Sequence, residues 1–209
     1  MSAKRLASLA WGISLISVLL AFTVWINNLG WDFTRSIETA YNTFPLFGLA
    51  AFSLMWSHYI VGSLRRFYGF DKQALTKYFK GTSVLVLICI LAHPLLLMLQ
   101  LYLDGFGLPP QSYLEHYVAP SLAWAAGLGT ISLIIFLLFE LYRKFNEKSW
   151  WKYIDYAQIL AMGFIFLHGL TLGRHLQFGW YKWVWYFYGI SLIFAIIYNF
   201  KSDQVKEKI

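Results

Sequence analysis

The sequence predicts an all-α, polytopic membrane protein built as a bundle of six transmembrane helices. Of its 209 residues, 59% are hydrophobic and 13% are charged, whereas a soluble domain carries roughly 25% charged residues. Six apolar segments reach the length of about 20 residues that a membrane-crossing helix needs. The basic residues gather in alternate connections between these segments, which is the pattern of membrane-protein loops.

The six segments follow one another through short connections, so we expect a single transmembrane domain over residues 1–209. The first segment follows Lys4 and Arg5. It is too long for a signal-peptide core and lacks a clear cleavage site, so we expect a retained helix. Residues 201–209 form a short cytoplasmic tail. The expected helices cover roughly residues 6–28, 44–64, 79–103, 118–142, 153–173 and 182–200.

Interfacial residues mark the ends of the later segments. A basic loop joins the second segment to the third, and the loop DGFGLPPQSYLEHYVAP joins the third to the fourth. Tryptophan and tyrosine are enriched where helices leave the hydrocarbon region of a bilayer. They flank the fifth and sixth segments as Trp150, Trp151, Tyr153, Trp180, Tyr181, Trp183 and Trp185.

The distribution of basic residues predicts that both termini are cytoplasmic. One side of the predicted topology collects 14 of the 17 Lys and Arg residues, whereas the other side has only Arg35, Arg174 and Lys182. The positive-inside rule assigns the basic side to the cytoplasm. Because the net charge of +7 resides in these short loops, it indicates membrane topology and does not indicate nucleic-acid binding.

Two histidines inside apolar segments are the main candidate functional residues. His93 lies in ILAHPLLL and His168 in IFLHGLTL, where an ionisable side chain is costly and usually has a function. Both segments are expected to run from the cytoplasm outward. His93 comes 14 residues after Phe79, and His168 comes 15 residues after Tyr153. At 1.5 Å per residue, both imidazoles then lie roughly 21–22 Å from the cytoplasmic edge.

Equal depth on two parallel helices favours the ligation of one haem b by both imidazoles. Each Nε2 would bind the iron, and each Nδ1–H would be donated to a helix carbonyl or a polar neighbour. The alternative is two unrelated histidines that form interhelical hydrogen bonds. Zinc fits less well, because the side chains for a tetrahedral site are missing at this depth. The single cysteine, Cys89, is expected to be a core residue and cannot form a disulfide framework.

Three further histidines carry weaker predictions. His58, in the second segment, is a candidate for a second haem, a quinone site or proton transfer, and the alternative is a hydrogen bond to a neighbouring helix. His116 is expected to be a solvated loop residue. Arg174 lies about 9 Å farther out than His168 and is a candidate partner of a haem propionate. The alternative for Arg174 and His175 is an interfacial anchor.

Asp155 is the carboxylate nearest the cytoplasmic end of the fifth segment. We expect it to pair with Lys152 or Lys80, or to cap the helix N-terminus, where the helix dipole favours negative charge. A proton-relay role is the less favoured reading.

Two stretches of the sequence resemble the ferric reductase-like transmembrane domain family. The first is FPLFGLAAFSLMW…GSLRRFYGFDKQALTKYFKGTSVLVLICILAHPLLL, in which a Gly-containing second helix and a basic loop lead to a third helix with His-Pro-Leu. The second is WWKYIDYAQILAMGFIFLHGL, which is similar to the matching fifth helix. The resemblance covers roughly residues 44–200. The family includes eukaryotic ferric reductases, NADPH oxidases and the haem-binding subunit of the bacterial methionine sulfoxide reductase system.

The resemblance implies that His93 and His168 are the axial ligands of the outer haem. Two-haem members of the family carry another histidine about thirteen or fourteen residues earlier on each helix. This chain has Phe79 or Lys80 and Asp155 at those positions, so we expect one haem b. Two-haem members often carry a cytoplasmic flavin and nicotinamide domain. Such a domain is absent here, so we expect a separate electron donor.

These features predict an electron-transfer subunit of the oxidoreductase class in a bacterial inner membrane. It would accept electrons near the cytoplasmic side from a quinol or a separate flavoprotein and pass them to a ferric species or a periplasmic reductase. Quinone and flavin are weaker cofactor candidates. The alternatives are a haem-free membrane scaffold and, less favoured, a small transporter, because the central helix turns carry almost no charged residues.

Overall fold

The computed structural model describes residues 1–144 and 152–207. Over these residues the regular secondary structure is helical and no strand occurs, so the predicted all-α class is confirmed. In chain order the helices are α1 (Ala3–Asn28), α2 (Phe33–Glu38), α3 (Ala40–Phe67), α4 (Thr76–Leu103), α5 (Gln111–His116), α6 (Ala123–Lys144), α7 (Lys152–Leu172), α8 (Arg174–Gln177) and α9 (Tyr181–Glu207).

Five of the described helical segments are long and apolar enough to cross a membrane. Two of them include a preceding 3₁₀ turn, Lys72–Leu75 before α4 and Pro120–Leu122 before α6. A shorter apolar stretch, Tyr156–Leu172, lies within α7. The five segments are Ala3–Asn28, Ala40–Phe67, Lys72–Leu103, Pro120–Leu141 and Tyr181–Ser202.

The chain divides into two compact units. The first comprises Met1–Leu97 together with Trp180–Ile209, and the second comprises Met98–Gly179. The first unit therefore holds α1 to α3, most of α4, and α9. The second unit holds the end of α4 and α5 to α8. His93 belongs to the first unit and His168 to the second.

Two short helices, α2 and α5, lie in segments that the sequence analysis leaves as connections. At the start of α2 the Asp32 carboxylate accepts hydrogen bonds from the Thr34 backbone N–H at 2.9 Å and from the Thr34 hydroxyl at 2.6 Å. An aspartate in the N-cap position satisfies backbone donors that the helix itself leaves unpaired. The Thr34 hydroxyl is the main cause of a lowered pKa of this carboxyl group.

In the first unit, α3 packs between α1 and α9. Against α1 it contributes to a buried apolar cluster that contains Leu6, Ala10, Val61, Leu75 and Tyr78. Farther along α1, Trp25 donates its indole N–H to the Asn42 carbonyl at 2.7 Å, which joins α1 to the start of α3.

Stacked aromatic side chains hold α3 against α9. The rings of Phe52 and Trp185 stack with centroids 4.2 Å apart, and those of Trp56 and Tyr188 stack at 4.3 Å. The Trp56 indole N–H also donates to the Ser191 hydroxyl at 2.9 Å. Offset aromatic pairs of this kind add to the stabilisation that comes from burial. They hold the α3 backbone in place on the side of α9.

In the second unit, small side chains let α6 and α7 approach closely. Ala125, Ser132 and Ala161 are completely buried. The Ser132 hydroxyl donates to the Leu128 carbonyl of its own helix at 2.8 Å and lies 3.2 Å from the Ala161 carbonyl of α7. Small residues and hydroxyl hydrogen bonds are the usual means by which helices associate within lipid.

Candidate functional site

His93 lies on α4 and turns its ring toward α3. Its Nδ1 lies 2.9 Å from the Phe44 carbonyl oxygen, and its ring packs against the Phe44 ring with centroids 5.1 Å apart. A carbonyl oxygen can only accept a hydrogen bond, so Nδ1 carries the proton. In the neutral imidazole this tautomer leaves the lone pair on Nε2, which is the form of histidine that binds a metal.

His168 has the same kind of partner in the second unit. Its Nδ1 lies 2.9 Å from the Ala125 carbonyl oxygen of α6. The same reasoning about donor and acceptor assigns the proton to Nδ1 and the lone pair to Nε2. The sequence predicts a helix carbonyl or a polar neighbour as the acceptor for each histidine, and the acceptors are the backbone carbonyls of Phe44 and Ala125.

A glycine lies directly beside each imidazole. A Cβ atom built on Gly48 would lie 2.8 Å from both Cε1 and Nδ1 of His93, and one built on Gly129 would lie 2.7 Å from Nδ1 of His168. These separations are well inside the carbon–carbon contact distance of roughly 3.5–4.0 Å. The rings therefore occupy space that is available only because these two positions lack a side chain.

The sequence points to the two histidines but not to the residues that accept their hydrogen bonds or pack beside their rings. Phe44 and Ala125 act through backbone carbonyls, which any residue could provide, and each is more than 40 positions away from its histidine in the chain. Gly48 and Gly129 are the detectable part of the arrangement. Each lies on the helix that precedes a histidine-bearing helix, four residues after the carbonyl that the histidine uses.

His58 forms a hydrogen bond between α3 and α4. Its Nε2 lies 2.6 Å from the Thr82 hydroxyl oxygen, and that hydroxyl in turn donates to the Tyr78 carbonyl at 2.8 Å. Because the Thr82 proton is used in the second bond, His58 donates from Nε2. This contact occupies the nitrogen that would bind an iron. It matches the alternative reading of His58 as an interhelical hydrogen-bonding residue.

A group of buried hydroxyls lies next to His58. Ser14 of α1, Ser57 of α3 and Tyr78 of α4 form a triangle with oxygen–oxygen distances of 2.7, 2.8 and 3.0 Å. Ser57 also donates to the Leu54 carbonyl at 2.7 Å, so its oxygen accepts within the triangle. We call these three residues the hydroxyl triangle. It ties three helices together through side chains that are each almost completely buried.

At the start of α8, Arg174 is exposed and His175 is buried. Burial, with a smaller contribution in the same direction from the adjacent Arg174 charge, lowers the pKa of His175 to about 4. Arg174 also opposes the rise that burial causes in the Tyr117 pKa. His175 is thus a neutral, buried imidazole, whereas Arg174 keeps the exposure that either an interfacial anchor or an anion partner needs.

The remaining predicted residues are either exposed or have side chains that the structure does not describe. His116 ends α5 in an exposed position, and its ring stacks on Phe106 with centroids 4.3 Å apart. Lys80 is exposed on α4. The side chains of Asp155 and Lys152, for which an ion pair or helix cap is predicted, lie outside the described part of the chain.

Each of the two imidazoles, taken by itself, has the donor state that suits an axial ligand of a haem iron. In the described residues, no group of three or more His, Cys, Asp and Glu side chains could hold a metal ion. A haem iron already has four macrocycle nitrogens and takes at most two ligands from protein side chains.

Comparison of the chain with protein-family models, with curated proteins and with solved structures finds no match. Fold and site together define an all-helical protein with membrane-length helices and two tautomer-fixed imidazoles.

Proposed function

We propose that this protein is a membrane haem b protein that relays electrons across the bilayer, with His93 and His168 as the two axial ligands of one haem. The observation that supports this most directly is the matching state of the two imidazoles. Each donates Nδ1–H to a helix carbonyl at 2.9 Å. A metal-bound histidine usually has such a partner, because the partner fixes the ring orientation and raises the basicity of the ligating nitrogen.

The predicted topology supports the same pairing. Six crossings with both termini in the cytoplasm would make α4 and α7 parallel and bring both histidines roughly 21–22 Å from the cytoplasmic edge. Equal depth is a requirement for two ligands on opposite faces of one macrocycle. It comes from the spacing along the chain and is independent of the hydrogen-bond geometry.

When bound, haem b supplies a one-electron redox couple. The protein's own groups would set its properties: the carbonyls of Phe44 and Ala125 hold the Nδ1 protons, and the apolar helices keep water away. A stronger hydrogen bond at Nδ1 makes the imidazole a better donor and favours the oxidised iron.

One haem per chain fits the residues at the cytoplasmic ends of α4 and α7. The resemblance to two-haem ferric reductase-like proteins points to Phe79 or Lys80 and to Asp155 as the positions of a second pair. The Phe79 ring packs against the His58 ring with centroids 5.4 Å apart, which uses that position for apolar packing. A quinol or a separate flavoprotein would donate electrons, and a ferric species or a periplasmic reductase would accept them.

The test is an absorbance spectrum of the purified protein with haem quantified per chain. We expect one haem b per wild-type chain, with loss of the low-spin six-coordinate spectrum in His93→Ala and in His168→Ala. His116→Ala is the matched control, because this histidine is exposed and its ring stacks on the loop residue Phe106. It should leave the spectrum unchanged. A colourless wild type would contradict the proposal and favour the haem-free scaffold. Full haem retention in both variants would contradict the assignment of His93 and His168 as the ligands.

A further inference from the structure

His93 and His168 each bond to a neighbouring helix in the same way, although the two histidines lie in different units. His93 reaches the carbonyl of Phe44 on α3, and Gly48 follows that carbonyl by four residues. His168 reaches the carbonyl of Ala125 on α6, and Gly129 follows by four residues. We call this the histidine–carbonyl–glycine arrangement. The two acceptor segments, FPLFG and AAGLG, have only the final glycine in common, so the match on that side lies in the backbone geometry.

Helix geometry explains the spacing of four. In an α-helix the N–H of residue i+4 bonds to the carbonyl of residue i, so the side chain of residue i+4 starts close to that carbonyl oxygen. An imidazole that approaches the carbonyl from outside the helix must then pass over position i+4. At Gly48 and Gly129 the ring takes the place of the missing side chain, with would-be Cβ distances of 2.7–2.8 Å.

An alanine at either position could be accommodated only by movement of the ring. The nearest atoms to a Cβ at Gly129 are Nδ1 and Cε1 of His168, at 2.7 and 2.8 Å, and those atoms belong to the edge that donates to Ala125. Rotating the ring away from the new methyl group therefore lengthens the hydrogen bond. Without this hydrogen bond the proton is no longer held on Nδ1. The rotation of the ring also changes the direction in which Nε2 points.

We propose that Gly48 and Gly129 are positioning residues that set the rotation and tautomer of His93 and His168 for iron ligation. This inference rests on the proposed haem function. The glycines act through the histidines, since the three atoms nearest to a Cβ at either position all belong to the imidazole. Other helical glycines give matched controls: a Cβ on Gly12 of α1 or Gly127 of α6 would meet nothing within 4 Å. In a helix interior, alanine is otherwise more favourable than glycine.

The test compares four full-length variants with wild type in detergent: Gly48→Ala, Gly129→Ala, Gly12→Ala and Gly127→Ala. For each, haem content, the electron paramagnetic resonance spectrum and carbon monoxide binding to the reduced protein are measured. We expect Gly48→Ala and Gly129→Ala to bind haem about 10–100-fold more weakly, the usual effect of losing a partner of a metal-bound histidine. They should also lose the low-spin signal and bind carbon monoxide. Wild type and the two controls should keep the low-spin signal and should not bind carbon monoxide.

Folding is separated from ligation by a second-site variant. If Gly48→Ala aggregates, the double variant Gly48→Ala/His93→Ala removes the ring that the methyl group meets and should return to the monodisperse elution of wild type. Continued aggregation of the double variant would overturn the steric role. A haem-loaded wild type with unchanged spectra in both glycine variants would overturn the positioning role alone. A colourless wild type would overturn the proposed function as well.

Discussion

At the scale of single residues, His93 and His168 show how an imidazole is accommodated within an apolar helix. Burying a polar group without a hydrogen bond costs several kcal/mol on the scale of water-to-hydrocarbon transfer. Each histidine avoids part of that cost through a 2.9 Å hydrogen bond from Nδ1 to a neighbouring helix. The acceptors are backbone carbonyls, which cannot titrate. Such an acceptor keeps the proton on Nδ1 at any pH at which the imidazole is neutral.

His175 leads to a prediction about pH at the same scale. Its pKa is about 4 in the folded protein and 6.5 in its unperturbed state, because the side chain is buried. Between these values the unfolded chain binds a proton that the folded chain does not, so stability falls as pH decreases from about 6.5 to about 4. The difference corresponds to about 3 kcal/mol. Thermal unfolding in detergent between pH 7.5 and 4.5 should show this loss.

The variant His175→Gln removes the titrating group and should flatten that part of the pH profile. His116→Gln, at an exposed position on α5, should keep the wild-type slope. An unchanged slope in His175→Gln would mean that other groups cause the pH dependence.

The sequence singles out the two histidines as candidates but does not reveal the groups that surround them. His93 and His168 stand out because charged and ionisable residues are rare in apolar segments. Their hydrogen-bond acceptors cannot be predicted from the sequence, because a bond to a backbone carbonyl depends on how two helices pack and requires no particular side chain. The position of His175 beside Arg174 and several tryptophans suggests an interfacial anchor. The structure adds that this residue is only 6% exposed, which its neighbours in the sequence do not reveal.

At the scale of helices, the hydroxyl triangle links α1, α3 and α4. Ser14, Ser57 and Tyr78 lie on three different helices, and each is at most 3% exposed. Apolar packing alone gives little preference for one helix arrangement within lipid, because lipid tails are as apolar as leucine. Mutually bonded hydroxyls are directional, so they favour one rotation of each helix over others. The rotation of α4 in turn determines where His93 points.

We expect Tyr78→Phe to destabilise the protein by about 0.5–1.5 kcal/mol, the range found for single hydrogen bonds between membrane helices. The loss should be moderate because Ser14 and Ser57, 2.8 Å apart, can still bond to each other. The control is Tyr102→Phe on the same helix, where the side chain is 57% exposed. The midpoint of unfolding in a sodium dodecyl sulfate titration measures both. Equal shifts in the two variants would contradict a role for the triangle.

The helices themselves are the most predictable part of the molecule. Long apolar runs identify α1, α3, α4, α6 and α9 as membrane-length segments, because such runs have few other stable environments. The short helices α2 and α5 are not evident from hydropathy. Helix α2 begins with a hydrogen bond from the Thr34 backbone N–H to the N-cap residue Asp32. The composition of its six residues gives no sign of this local hydrogen bond.

At the scale of the whole molecule, charge asymmetry is the feature with the widest consequence. In the predicted six-crossing topology, the loop between α3 and α4 belongs to the side with 14 of the 17 basic residues, whereas the loop after α4 belongs to the side with three. The positive-inside rule then predicts that these two loops lie on opposite sides of the membrane, with the α3–α4 loop in the cytoplasm. The direction of electron flow in the proposed function depends on this orientation.

Single cysteines placed in the two loops test the orientation. The only native cysteine, Cys89, is first replaced by alanine, and Gln73→Cys or Gln111→Cys is then introduced at an exposed position. A membrane-impermeant maleimide should label position 111 in right-side-out vesicles and position 73 in inverted vesicles. The reversed pattern would contradict the predicted orientation. Labelling of both positions from one side would contradict a crossing by α4, and with it the equal depth that pairs His93 with His168.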